Sequence, residues 1–375
     1  MRTHPSLQAP GHRSAHSAAD SRRARFSKLG LVSAALAFAS LGCAQSGFAQ
    51  AYATPKQAAG HPDFAYQGEY LGEVIVEDQA EPTRIGIQLA ARGDGNFTGF
   101  IYPGGLPGDG WMPEDGGRQT ISAQRSDDLV QTEPFRGVTF RHEEGVLIGR
   151  DGQGTKRGTL ERVVRTSPTE EKAPPEEAIV LFDGSNVEKW RDGARIVEGD
   201  LLEQGGRSAD DYGDMYLHLE FRPGFMPAAS GERRANSGVY IQNRYEVQIL
   251  DSFGMPDNAS MNAALYREKA PKLNMSFPPL QWQTYDIFFR APRFDDQGDK
   301  TDNTRITVFH NGVLVQNDVE LQRGTGVGGG REEVAKEHLF LQNHTGPVYF
   351  RNVWLVEDDI VAQRTLRILK SGEEP

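Results

Sequence analysis

Residues 239–250 read VYIQNRYEVQIL. Val239, Ile241, Val247 and Ile249 are apolar, whereas Tyr240, Gln242, Glu246 and Gln248 are polar or amphipathic. Alternation at two-residue spacing on both sides of a short polar break marks a β-hairpin with one face in a core. Parity sets the expected register. A two-residue Asn243-Arg244 turn would pair Gln242 with Tyr245 and mix the two sets. A three-residue loop, Asn243-Arg244-Tyr245, pairs Gln242 with Glu246 and keeps them apart. The pattern therefore predicts Tyr240, Gln242, Glu246 and Gln248 together on one open face.

The same period recurs nearby. Met215, Leu217, Leu219 and Phe221 alternate with Tyr216, His218, Glu220 and Arg222. Tyr285, Ile287 and Phe289 alternate with Thr284, Asp286 and Arg290, and Phe350, Trp354 and Val356 close the run. Regular strands without intervening helices imply two stacked antiparallel sheets over residues 178–358. Residues 64–165 also read as β, with short strand-like runs at 85–89, 97–102, 138–140, 146–148 and 160–164. This is a small antiparallel domain, barrel or sandwich, in which the loop 103–117 around Trp111 is a long hairpin connection. Residues 166–177, with SPTEEKAPPEE from Ser167 to Glu177, combine Pro and acidic residues as a stiff, solvated linker expects. The tail after Asp358 is charged and expected to be peripheral. The fold class is all-β.

The N-terminus reads as an export signal occupying residues 1–49. Arg22, Arg23, Arg25 and Lys28 precede an apolar stretch at 29–42, too short to span a bilayer comfortably. Gly47-Phe48-Ala49 and Ala51-Tyr52-Ala53 both offer small-x-Ala cleavage patterns. The expected destination is periplasmic or secreted, with a lipid anchor at Cys43 the secondary reading. Cys43 is the only cysteine, so cleavage after Ala49 leaves neither disulfide nor thiol chemistry. Residues 1–49 hold six Lys/Arg and one Asp, and the remaining 35 basic and 51 acidic residues give a formal charge of −16. Such a chain repels nucleic acid and anionic membrane surfaces, and a neutral substrate such as a sugar suits it better. No integral membrane domain is expected.

Amides and carboxylates at two-residue spacing suit sugar hydroxyls, which need paired donors and acceptors. An ordinary solvated sheet face is the alternative. Several segments bear on the choice: Asn236-Ser237-Gly238-Val239-Tyr240, Arg244-Tyr245-Glu246-Val247-Gln248-Ile249-Leu250-Asp251-Ser252, Leu181-Phe182-Asp183-Gly184 with Trp190, and Leu219-Glu220-Phe221-Arg222. They are joined by Trp282-Gln283-Thr284-Tyr285-Asp286, His310-Asn311-Gly312, Leu341-Gln342-Asn343-His344 and Phe350-Arg351-Asn352-Val353-Trp354. In this order they resemble the 3-keto-disaccharide hydrolase family over residues 179–357. The resemblance implies a concanavalin A-like jelly-roll sandwich. It also implies action on 3-keto-glycosides, as a lyase cleaving at C1–C2 or a hydratase of the resulting glucal, in functional pairing with a sugar 3-dehydrogenase.

A 3-keto group acidifies the C2 proton. Removing that proton gives an enolate, after which the C1 oxygen leaves. The site needs a base at C2, a stabiliser at O3 and an acid for the leaving group. Glu246 is the candidate base or metal ligand, and His344 the candidate acid or ligand. Asp251 is a third catalytic candidate, although its parity differs and a turn-capping role competes. Tyr240, Gln242, Gln248, Gln342, Arg351 and Glu220 are the candidate sugar contacts. Arg351 has an inter-strand ion pair as its alternative. A divalent metal on Glu246 and His344 is left open. The acidic run 295–302 lacks the terminal bidentate Glu of a calcium loop and reads as a solvated hairpin. Gly324-x-Gly326-x-x-Gly329 follows no suitable strand and reads as a flexible loop that could cover the sandwich face. A non-catalytic lectin-like module and a cell-envelope adhesion protein are the competing functions.

Overall fold

The computed structural model describes residues 49–371 apart from positions 78, 128 and 358. The export-signal reading, with Cys43, lies outside the described residues except for Ala49. No helix among the described residues is long and apolar enough to cross a membrane.

Eight antiparallel strands come first: β1 (Gly68–Val74), β2 (Thr83–Ala91), β3 (Asn96–Pro103), β4 (Gln119–Ser126), β5 (Leu129–Thr132), β6 (Thr139–Glu143), β7 (Val146–Arg150) and β8 (Lys156–Val163). Each pairs with its neighbour in sequence, and β1 pairs with β8, closing a barrel. Closure removes the exposed edges that a short open sheet would carry. Tyr70, Ile87, Leu89, Phe97, Ile101 and Phe140 fill its core. The loop between β3 and β4 tucks Trp111 against Tyr102 at 4.8 Å.

Residues 179–356 form a two-sheet sandwich. Its main strands are β9 (Met215–Pro223), β10 (Asn236–Ile241), β11 (Tyr245–Leu250), β12 (Gln283–Arg290), β13 (Thr304–His310), β14 (Val313–Leu321), β15 (Phe340–Leu341) and β16 (Val348–Val356). The larger sheet runs Ile196–Val197, Leu201–Glu203, β16, β9, β12, β13, β14, with Ile179–Phe182 added on β16. The smaller runs Trp190–Arg191, Arg207–Ser208, β15, β10, β11. The alternation places side chains as expected: Leu217, Leu219, Ile287, Val239, Ile241, Val247 and Ile249 meet in one core between the sheets. The acidic run forms a small solvated hairpin, Arg293–Phe294 against Lys300–Asp302.

Two expectations are overturned. The tail is not peripheral: Asp359–Ser371 is a helix whose Ala362, Leu366 and Leu369 cover Tyr216, Phe288, Phe309 and Trp354. Nor is the Pro/acidic segment solvated throughout, although Glu171, Ala173, Pro174, Glu176 and Glu177 are exposed. Ser167 and Thr169 are buried, and the segment lies as a strap across the outer face of the larger sheet. Ser167 Oγ and Thr169 Oγ1 bond Thr284 at 2.6 and 2.8 Å, Thr169 Oγ1 donates to Asp286 at 2.8 Å, and Lys172 Nζ donates to Tyr216 Oη at 3.0 Å. Composition misled here because polar side chains on the sheet's outer face offer partners that water would otherwise supply.

Beneath the strap, His218 Nδ1 lies 2.9 Å from Asp286, with Nε2 3.8 Å from Glu220, all fully buried. Burial opposes charging the imidazole, but Asp286 and Glu220 outweigh it and raise the His218 pKa. A raised histidine pKa contributes stability that is complete below the unfolded value and lost as pH rises through the folded one. Thermal midpoints are therefore expected to fall as pH is raised from about 5 to 9, and His218→Gln to flatten that slope. Equal slopes in both proteins would mean His218 is neutral.

Candidate functional site on the outer face of the smaller sheet

The hairpin β10–β11 forms, but its register differs from the parity argument by two residues. Tyr240 pairs with Glu246 and Ile241 with Tyr245, so the loop is Gln242-Asn243-Arg244. Gln242 and Asn243 both have positive φ, 49° and 51°, and Arg244 N–H donates to Ile241 O at 3.2 Å. A two-residue shift preserves the alternation, so parity could not separate the two registers. Tyr245 decides it by burying its ring beside Phe289, at 5.5 Å. Gln242 thereby leaves the polar row. Its amide donates to Tyr212 O and Ala335 O at 3.3 and 2.9 Å, which anchors the turn.

The face that carries the row is not open. The loop after β11 returns along its edge: Gln248 N–H donates to Ala264 O, Ala263 N–H to Gln248 O and Tyr266 N–H to Glu246 O. The glycine-rich loop closes from the other side. Thr325 N–H donates to Arg244 O, and Glu246 N–H donates to Thr325 Oγ1 at 2.8 Å. The loop expected as a flexible cover is thus bonded to the strand that bears Glu246. Gln248 is buried, its amide donating to Ser260 O at 3.4 Å, so it holds the covering loop.

Glu246 is 2% exposed, and its Oε2 has no hydrogen-bond partner. Glycine at 238 makes room for it, since a Cβ there would run into Glu246 Oε1. Tyr266 packs on Gly326, where an added Cβ would lie 3.7 Å from Glu246 Oε2. Tyr266 Oη donates to Glu232 at 3.0 Å, and Arg267 lies over the Tyr266 ring at 5.0 Å. Glu246 has no ion-pair partner among the described residues. Burial pushes its pKa up to about 7; the Tyr240 hydroxyl pulls down, the Glu232 charge pushes further up and Arg267 pulls down. Burial and the Glu246 charge raise the Tyr240 pKa, so its hydroxyl stays protonated. A buried carboxylate poised near neutrality beside phenol donors is equipped for proton transfer.

The remaining candidates divide by position. Gln342 Nε2 reaches Tyr240 Oη at 3.4 Å, and Gln342 N–H donates to Gly238 O, placing it beside the row. His344 is exposed, with Nδ1 2.7 Å from Thr345 Oγ1. Asp251 is taken up in a fully buried ion pair, accepting from Arg234 Nε and Nη2 at 3.0 and 2.6 Å. Glu220 and Arg351 pair with each other at 2.7 Å on the outer face of the larger sheet, the opposite side of the sandwich. There Arg351 also meets Glu170 of the strap at 2.7 Å. The structure therefore assembles Tyr240, Glu246 and Gln342, and leaves Gln242, Asp251, Glu220 and Arg351 in structural bonds. Among the described residues no group of three or more His, Cys, Asp or Glu side chains is arranged to hold a metal. Tyr266 and Arg267 lie in an irregular loop and Glu232 in the short 3-10 turn Gly231–Arg233, so no periodicity marks them in the sequence. Gly238, the one side-chain-free position in the polar row, was the available signal.

Residues 177–356 match the family model described as a 3-keto-alpha-glucoside-1,2-lyase-like domain. This agrees with the family resemblance read from the motifs. No curated protein matches the chain. Similar solved structures include three from Parabacteroides distasonis, each provisionally described as a glycosyl hydrolase. One is 28% identical, covering 49% of this chain and 85% of its own, with a TM-score of 0.44. A second is 20% identical, covering 48% and 98%, with a TM-score of 0.35. The third is 15% identical, covering 52% and 99%, with a TM-score of 0.37.

Proposed function

We propose that this 3-keto-alpha-glucoside-1,2-lyase-like domain, a carbohydrate-active enzyme in general class, eliminates the C1 substituent of 3-keto-glycosides at the outer face of its smaller sheet. The single observation behind this reading is Glu246, a buried carboxylate with one unpartnered oxygen and a pKa near 7 in a domain of that family. In the proposed step Glu246 takes the C2 proton, and the C2–H electron pair becomes the enolate on O3. The carbonyl then re-forms, C1=C2 is made, and the C1–O1 bond breaks with its electrons going to O1. A phenol proton from Tyr240 or Tyr266 satisfies O1, and the proton on Glu246 restores the phenol. The chain is further proposed to work outside the cytoplasm, after removal of residues 1–49, on ketones made by a sugar 3-dehydrogenase.

The test is to incubate the protein with methyl 3-keto-α-glucoside and with the unoxidised methyl α-glucoside, with and without divalent metal. The expected result is consumption of the ketone alone, with a 2-hydroxy-3-keto-glucal as first product. Equal cleavage of both would sink the elimination mechanism, and saturable binding without turnover would favour the lectin-like reading.

The pH profile follows from the same carboxylate. A base must be unprotonated, so kcat/KM is expected to rise through about pH 7 and level off above it. Activity that is already maximal at about pH 5 would exclude Glu246 as the base.

A further inference from the structure

Between the barrel and the sandwich lies a cavity of about 370 Å³. One wall is apolar, formed by Phe100 of β3 with Met255 and Pro256 from the loop after β11. The other carries Thr120 and Arg92. The Arg92 guanidinium donates to Thr98 Oγ1 at 2.6 Å and to Gly254 O at 2.9 Å, which are neutral acceptors. It makes no ion pair among the described residues. The charges that act on it are Arg234 and Asp251, which neutralise each other at 2.6 Å; Arg118, over the Phe100 ring at 4.4 Å, is paired with Asp257 at 2.8 Å. The cluster therefore keeps one uncompensated positive charge in a half-buried place. Burial, with Arg234 adding to it, lowers the Arg92 pKa to about 10. A half-buried charge without a counter-ion is disfavoured, and an anion in the adjoining space relieves that cost. The volume falls within the range of small-molecule pockets, roughly 300–1,000 Å³.

We propose that this interdomain cavity is a binding site for a small ring-bearing carboxylate, its anionic group on Arg92 and its ring against Phe100, Met255 and Pro256. The site stands apart from Glu246 and does not depend on the reading of its chemistry. It gives the barrel a function, since neither domain alone supplies both walls. The pairing of one cation with an apolar wall selects for amphipathic anions over phosphate, which gains nothing from the ring contacts.

Calorimetric titration of the mature protein with benzoate, benzyl alcohol and inorganic phosphate tests the proposal. Saturable benzoate binding is expected, with benzyl alcohol and phosphate each weaker by about tenfold or more. Arg92→Met is expected to abolish the preference of benzoate over benzyl alcohol. Because Arg92 also ties the two domains together, Thr120→Trp provides a second variant that fills the cavity from an exposed strand position and leaves Arg92 in place. It is expected to weaken benzoate at least tenfold while the thermal midpoint holds. Absence of benzoate binding, equal binding of phosphate, or unchanged benzoate binding in Thr120→Trp would each overturn the proposal.

Discussion

Glu246→Gln is expected to lower kcat for 3-keto-glycoside elimination by about 10²–10⁴-fold, the range that a positioned general base contributes. The substitution is nearly isosteric. The pocket left by Gly238 accepts the amide, and the bond from the Glu246 backbone N–H to Thr325 is untouched. What changes is basicity, because an amide cannot take the C2 proton. The stability expectation runs the opposite way. Glu246 is a carboxylate held in a buried place without a cation partner, so ionising it opposes folding. At about pH 8 the Gln variant should therefore melt no lower than the parent. Loss of activity together with loss of fold would assign Glu246 a structural role. A rate within about fivefold of the parent would remove it from the chemistry.

Arg234→Met is expected to cost about 3–5 kcal/mol of unfolding free energy, read from denaturant midpoints. Asp251 would be left fully buried and without its bidentate partner. Arg234 also donates to Ala229 O and to Ala91 O of the barrel, at 3.3 and 3.5 Å, so the barrel contact should weaken as well. Replacing both partners, in Arg234→Met with Asp251→Leu, should cost less than the two single changes added together, since no unpaired charge remains. Strict additivity would show that the pair is not coupled. The same result bears on the site, because Asp251→Asn should reduce stability while leaving the pH dependence of turnover in place.

Much of the architecture was legible in the alternation of particular strands. Leu217 and Leu219, Ile287 and Phe289, and Val247 and Ile249 all face the core between the sheets, as a two-residue period requires. Register was not legible, because pairing Tyr240 with Glu246 or Gln242 with Glu246 separates polar from apolar residues equally well. The turn at Gln242 and Asn243 needs two residues with positive φ, and only Asn is a common choice there. Parity correctly set Glu220 on the outer face of its strand. It could not say that this face lies across the sandwich from Glu246, since one strand's period carries no information on which sheet it joins. The strap at Ser167–Thr169 and the loops that bury Glu246 were equally hidden, because their contacts are long-range bonds between irregular segments.

The most direct measurement is exchange of the substrate's C2 proton in D₂O. Methyl 3-keto-α-glucoside is incubated with the protein and with Glu246→Gln, and the C2 proton is followed by NMR alongside release of methanol. The protein is expected to release methanol with loss of the C2 proton, and the Gln variant to slow both together. Methanol release at the parent rate in the variant, or release with the C2 proton retained in the sugar product, would contradict that expectation.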